Sequence, residues 1–214
     1  MKITKFGHCC LLIEDKGVRV LTDPGLFTTA QNEVKNIDVI LITHEHSDHL
    51  HIESVKKILE NNPEVLIVTN TSVNELLKKE NILNTKNVEN GESFEYKGLM
   101  LSGHGSLHEI IHPEIPGVVN VGYMIGERLF VPGDSFEHNA INPEILALPV
   151  AGPWMNIHTA LDYCIRLNPK KCFPVHDSVL SEFGKGVIGR VVPRVLNNHG
   201  ISFVDLELNT ETDF

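Results

Sequence analysis

Two spacings of apolar residues alternate along the chain, one of two and one of three to four. Lys2–Phe6, Cys9–Glu14 and Val18–Thr22 are short apolar runs, the last two separated by a tight Asp15-Lys16-Gly17 turn. Asp23-Pro24-Gly25 then breaks the chain. Ile37–Ile42 is a nearly continuous β-branched run, the mark of a strand covered on both faces. A polar, histidine-rich loop follows, and then Ile52, Val55 and Leu59 recur at helical spacing until Asn61-Asn62-Pro63. Val65–Val68 predicts another buried strand, and Thr71 is placed to cap a helix carrying Val73, Leu76 and Leu77.

The middle of the chain turns to strands. Phe94–Tyr96, Leu99–Ser102, Val118–Ile125 and Leu129–Val131 are divided by Gly98, Gly103 and Gly126, and Leu146–Val150 follows. A helix is expected over about 159–167, a strand at Lys171–Val175, a helix over about 187–198 bending at Pro193, and a closing strand at Ile201–Leu206. Strands and helices interleave without a linker or repeat, so the expectation is one α/β domain over residues 1–214, with helices packed outside the sheets.

Composition narrows the function. With 42% hydrophobic and 21% charged residues in 214, the chain is ordinary globular material and not a disordered, collagenous or coiled-coil sequence. No run approaches the ~18 apolar residues of a membrane span, and the start has no apolar signal core, so a cytoplasmic protein is expected. Eighteen basic against twenty-eight acidic residues give −10, which repels polyanions and disfavours nucleic acid as a partner. Cys9, Cys10, Cys164 and Cys172 show no CxxC spacing and read as buried free thiols.

Histidine carries the chemistry: there are twelve, four of them between positions 44 and 51. Thr43-His44-Glu45-His46-Ser47-Asp48-His49 follows a buried strand directly. In an extended loop His44 and His46 point to one side, Glu45 points away, and Asp48 and His49 diverge towards a second point. Three imidazoles and a carboxylate in six residues are metal-ligand chemistry at the strand end where α/β ligand sites lie. Further candidates also follow strands: His104 between two glycines, Asp134 after Pro132-Gly133, and His176 after Lys171–Val175. Asp23 reads as an Asp-Pro-Gly turn residue. His108 and His112 could compete with His104, but a glycine-flanked residue at a strand end is better fixed. His51 is expected to start a helix, and His8 and His138 read as surface or satisfied core histidines. Trp154 suits either pocket lining or core.

Taken in order, the T-H-x-H-x-D-H motif at 43–49, Asp23, His104, Gly133-Asp134 and Pro174-Val175-His176 resemble the metallo-β-lactamase superfamily of metal-dependent hydrolases. Phe6–Cys10 and Gly152-Pro153-Trp154-Met155 are similar to its small L-ascorbate-6-phosphate lactonase-like branch. The resemblance implies a four-layer αββα sandwich. It implies that His44, His46 and His104 hold one metal, that Asp48, His49 and His176 hold a second, and that Asp134 bridges them. It also gives Asp23 a buried supporting role beside a ligating histidine. Five imidazoles and two carboxylates suit two zinc ions, with manganese or iron as alternatives.

The mechanism so implied is attack by a hydroxide held between two metals, with Asp48 and Asp134 as the catalytic carboxylates. Lowering the pKa of water from 15.7 to about 7 is on the order of 12 kcal/mol, against roughly 3–5 kcal/mol for a side-chain general base. The metals therefore dominate, and no serine or cysteine nucleophile is required. The expected substrate is a small ester, lactone or phosphoester. The alternatives are a nuclease, a di-iron redox protein and a non-catalytic binder. Residues 50–103, 105–133 and 135–175 leave no room for the inserted domain of the nucleases. The di-iron relatives carry a carboxylate where His46 stands. A true β-lactamase usually lacks a histidine at position 49. For the proton donor to the leaving group, His138, His108 and Tyr163 are the available groups.

Overall fold

Val39–Ile42 is buried throughout because its two faces enter different cores. Val39 and Leu41 join Ile3, Leu11 and Ile13 against Leu101, Tyr123, Leu129 and Phe173. Ile40 and Ile42 face the other way, onto Val55, Ile58, Val73 and Leu77. This alternation is repeated across a computed structural model that describes residues 1–214. It produces two seven-stranded sheets face to face, with helices on both outer surfaces.

The first sheet contains β1 (Lys2–Gly7), β2 (Cys10–Asp15), β3 (Val18–Thr22), β4 (Val39–Ile42), β5 (Leu66–Thr69) and β6 (Thr85–Asn87). The second contains β7 (Ser93–Tyr96), β8 (Leu99–His104), β9 (Gly122–Ile125), β10 (Leu129–Val131), β11 (Ile145–Pro149), β12 (Lys171–Val175) and β13 (Ser202–Phe203). β14 (Glu211–Asp213) returns to pair with β1, giving the orders β14-β1-β2-β3-β4-β5-β6 and β13-β12-β11-β10-β9-β8-β7. Each sheet is mixed. β3 to β6 run parallel, as do β10 to β13, so their carboxyl ends collect at shared edges.

Helices α1 (Ile52–Asn61) and α2 (Thr71–Lys79) cover the first sheet, and α3 (Ile157–Leu167) and α4 (Glu182–Leu196) cover the second. The αββα expectation is therefore met. Several boundaries differ. Asn70, not Thr71, caps α2 by accepting from the backbone N–H of Val73 at 3.0 Å. α4 begins at Glu182, capped by Ser181, well before residue 187. Gly184, Gly186 and Gly189 dilute its apolar period, and the packing of Val192 and Leu196 under the second sheet decides the matter. Residues 118–121 are not strand, and β6 and β14 have no clear pattern because they are short and half-exposed edge strands. No helix is long and apolar enough to cross a membrane.

Leu41 is 1% exposed in the core between the sheets. We expect Leu41→Ala to lower stability by about 2–5 kcal/mol, read as a fall in the urea midpoint with the slope unchanged.

Candidate metal centre

Five strand ends deliver polar side chains to one edge of the sandwich: β1 leads to His8, β3 to Asp23, β4 to the 43–50 loop, β10 to Asp134 and β12 to His176. His8, Asp23 and His176 all hold positive φ, 52°, 39° and 58°. Such backbone is unfavourable for residues other than glycine and persists only where surrounding contacts over-determine it.

The base of the site is Asp23, fully buried. Its Oδ1 accepts from the backbone N–H of Thr43 at 2.8 Å, and its Oδ2 accepts from Thr43 Oγ1 at 3.0 Å and from Nδ1–H of His49 at 2.8 Å. The His49 bond leaves Nε2 as the free lone pair. Because the Thr43 hydroxyl gives its proton to Asp23, its oxygen accepts Nδ1–H of His44 at 3.1 Å, which turns Nε2 of that ring towards the centre, 3.2 Å from His46 Nδ1. One carboxylate thus sets two imidazoles. His108 reaches the same result differently, donating Nδ1–H to the carbonyl of Glu109 at 2.6 Å.

The freed atoms converge. The ligand atoms of His44, His46, His108 and Asp134 lie within 4.8 Å of one another, and so do those of His8, Asp48, His49 and His176. Asp134 touches both groups. Its Oδ1 is 3.1 Å from His49 Nε2, and its Oδ2 is 3.0 Å from His176 Nε2 and 3.3 Å from His108 Nε2. Asn120 holds the turn that presents it, accepting from the backbone N–H of Asp134 at 3.0 Å and donating to the carbonyl of Pro132 at 2.9 Å. The turn also requires Gly133, at φ 63°, where a Cβ would lie 2.2 Å from Asn120 Oδ1.

These N···O separations fall in ion-pair range, yet the angles are wrong for hydrogen bonds. His49 Nε2, His108 Nε2, Asp134 Oδ1 and both ring nitrogens of His176 are buried without a hydrogen-bond partner. Lone pairs aimed at common points, rather than at one another, are the mark of a cation site, and the donor set fits two divalent ions.

The electrostatics describe the same crowding. Burial would raise the Asp134 carboxyl, but His49, His108 and His176 hold it well below the carboxylate range. Burial would lower His176, but Asp134 and Asp48 raise it to about 10. His44 is driven well below its ordinary value, by burial first and then by His49.

The sequence-predicted residues His44, His46, Asp48, His49, Asp134 and His176 are brought together, and Asp23 lies beneath them. His104 is not among them, and His108 stands in its place. His104 ends β8, where inward Leu99, Leu101 and Gly103 alternate with Met100, Ser102 and His104. Period-two alternation therefore turns it outward, with Nε2 2.9 Å from Ser102 Oγ and its ring against Phe130. The flexible loop that made His108 look poorly fixed is pinned by hydrogen bonds from the N–H of His108 to the Val118 carbonyl and from that of Glu109 to the Asp134 carbonyl.

His8 is a second correction, since it is 1% exposed and inside the second cluster. Its Nδ1 accepts from the backbone N–H of Ser178 at 3.3 Å, so a neutral ring donates Nε2–H to Asp48 Oδ2 at 3.2 Å. Burial lowers the His8 pKa, which favours that neutral form and makes the residue a support for Asp48. His138 is the satisfied core histidine expected, bonded to Tyr163 Oη and the His104 carbonyl at 3.0 and 3.1 Å. That buries both His138 and Tyr163 away from the clusters and removes them as proton donors. Glu45 points away, onto Ser72. Trp154 is both core and lining, its ring 5.9 Å from that of His108 and 5.6 Å from that of His176. Thr43 and Asn120 carried no sequence signal beyond their neighbourhood.

A larger cavity, of about 420 Å³, lies beneath α4. It contains none of the clustered imidazoles, and its buried Lys5 is already paired with Asp177 at 2.7 Å.

A four-layer sandwich with a histidine-carboxylate centre at its strand ends defines the metallo-β-lactamase class of fold. The match to known proteins agrees: residues 2–176 fit the family model described as beta-lactamase superfamily domain, and the chain belongs to that superfamily. Protein Rv0786c of Mycobacterium tuberculosis is 32% identical over 87% of this chain and 89% of its own. UPF0173 metal-dependent hydrolase TV0864 of Thermoplasma volcanium is 30% identical over 82% of this chain and 83% of its own. Among solved structures, Igni18, described as a metallo hydrolase from Ignicoccus hospitalis, superposes with a TM-score of 0.76 at 19% identity, covering 100% of this chain and 98% of the other. At that identity the likeness concerns the fold.

Two outcomes follow for metal analysis after dialysis. His108→Ala should bind less metal than the wild type while His104→Ala binds as much, and the reverse would return the ligand role to His104. Asp23→Asn puts an N–H against His49 Nδ1–H. It should weaken zinc binding about 10–100-fold in competition with a chromophoric chelator while the fold is retained.

Proposed function

We propose that residues 1–214 act as one domain, a metal-dependent hydrolase that cleaves a small ester, lactone or phosphoester in the cytoplasm. The observation that carries this reading is the pair of four-residue clusters joined through Asp134, with nitrogens of His49, His108 and His176 unpartnered. Two divalent ions, zinc best by donor set, would be held by His44, His46, His108 and Asp134, and by Asp48, His49, His176 and Asp134. Bound there, they supply the Lewis acidity that activates water and polarises the scissile bond.

The protein's own residues prepare that chemistry. Asp23 and Thr43 fix which nitrogen His49 and His44 present. His8 aims Asp48, and Asn120 aims Asp134 between the two groups. Trp154 covers the edges of His108 and His176 and keeps bulk water from that side. The two catalytic carboxylates, Asp48 and Asp134, supply negative charge without acting as bases, since their surroundings favour the ionised form. Likeness to the small lactonase-like branch is supported by its two motifs, because each delivers a residue to the centre, His8 from Phe6–Cys10 and Trp154 from Gly152–Met155. The four free, buried cysteines suit a reducing compartment.

The test is turnover of p-nitrophenyl esters, simple lactones and p-nitrophenyl phosphodiesters by metal-loaded protein. Extensive chelation should abolish turnover, and zinc or manganese should restore it. Asp134→Ala should lower kcat/KM by at least ~10³-fold and reduce the bound metal, since it removes a group that serves both sites. Unchanged rate and metal content in that variant would sink the assignment.

A further inference from the structure

A second cavity, of about 250 Å³, opens directly from the first cluster, with His46 and His108 at its inner end. The rest of its wall is the segment joining β8 to β9, which contributes Ile110, Ile111, Ile115 and Val118. Ile110 is 75% and Ile115 50% exposed. Branched aliphatic side chains held in water beside a polar centre are unfavourable unless something covers them.

The wall is already built. The N–H of His108 donates to the Val118 carbonyl at 3.1 Å, that of Ile115 to the His112 carbonyl at 2.9 Å, and that of Asn120 to the Ser106 carbonyl at 3.3 Å. The Glu109 side chain accepts from the Phe136 N–H at 2.8 Å, which engages one oxygen of the only carboxylate in the cavity lining. No lysine or arginine lines the cavity, and residues 105–118 contain none. A phosphate or carboxylate group seated against that wall would find imidazoles but no lysine or arginine to pair with.

The geometry points to a substrate that carries an uncharged aliphatic group beside its scissile bond, such as an acyl ester or alkyl lactone, with that group seated against Ile110, Ile111 and Ile115. This inference rests on the hydrolase reading for its reaction and on the cavity alone for its binding. It narrows the substrate class to bonds that carry an aliphatic substituent, placing an acyl ester or alkyl lactone ahead of a phosphoester. The reason is continuity: a bond positioned at His46 and His108 places its nearest substituent in this cavity.

The test compares p-nitrophenyl acetate, butyrate and hexanoate with bis(p-nitrophenyl) phosphate on the full, zinc-loaded chain. Fluorescence of Trp154, the only tryptophan, is followed in parallel on addition of acetamide or hexanamide. We expect kcat/KM to rise at least ~10-fold from acetate to hexanoate, and hexanamide to bind at least ~10-fold more tightly than acetamide. In Ile110→Asn/Ile115→Asn both ratios should fall towards one. In Leu83→Asn, a control at an exposed leucine outside the cavity lining, both should stay as in the wild type.

Flat chain-length profiles, or ratios that survive the double variant, overturn the cavity assignment while ester turnover keeps the hydrolase reading. Faster cleavage of the phosphodiester does the same. Selective hexanamide binding without turnover of any substrate leaves the cavity and removes the hydrolase. If sedimentation shows a dimer that the double variant dissolves, a second copy covers these isoleucines and the proposal fails.

Discussion

The centre depends on one fully buried carboxylate. Asp23 has no exposure, and both of its oxygens are engaged by groups from the loop after β4. A buried charge is tolerated only when its partners are fixed, because an unpaired one costs several kcal/mol. That requirement runs outward through the site. Thr43 must sit where its N–H and hydroxyl meet Asp23, His49 must turn Nδ1 inward, and His44 must take its proton to Thr43. The nitrogens that reach the centre are the ones this chain of hydrogen bonds leaves over. Close backbone approach is part of the same constraint: a Cβ on Gly25 would lie 1.7 Å from the Asp48 carbonyl, so the Asp-Pro-Gly turn can press against the histidine loop only with glycine there.

Above Asp23 the site is an electrostatic conflict on its own terms. His44 and His49 are buried completely and packed 4.0 Å apart, and one is pushed towards neutrality while the other is pulled towards charge. Asp134 is nearly buried among three imidazoles. Protons shared between these groups satisfy the charges but not the directions of the lone pairs. A bound metal satisfies both, and it gives reason for a fold to assemble so many polar groups in a place with so little water. The strained backbone at His8, Asp23 and His176 belongs to the same account.

Much of the fold was legible because its strands are short apolar runs punctuated by glycine, proline and aspartate. The run at Ile37–Ile42, of which Val39–Ile42 is strand, and Lys171–Val175 could hardly be anything but buried strands. The elements that escaped were those whose stability comes from partners rather than pattern. β14 exists because β1 offers an edge, and the start of α4 exists because its far end packs beneath the second sheet in spite of three glycines. Likewise, the 43–49 loop was readable as a ligand source from residue type and spacing alone. His8 was not, because its neighbours resemble any apolar strand end, and its role is set by Ser178 and Asp48, which are distant in the chain.

Chemistry-bearing residue types and their order along the chain were enough to point to a histidine-carboxylate centre with Asp134 as a late contributor, and the resemblance those residues carry implied the αββα sandwich. The choice between His104 and His108 was not local. It turned on which face of β8 looks inward and on whether a loop is held, and both are decided by the neighbouring strand and by hydrogen bonds to Val118 and Asp134. A strand's parity and a loop's rigidity exist only once the chain has packed, so the glycine-flanked His104 was the better candidate in sequence and His108 is the one the folded protein brings to the centre.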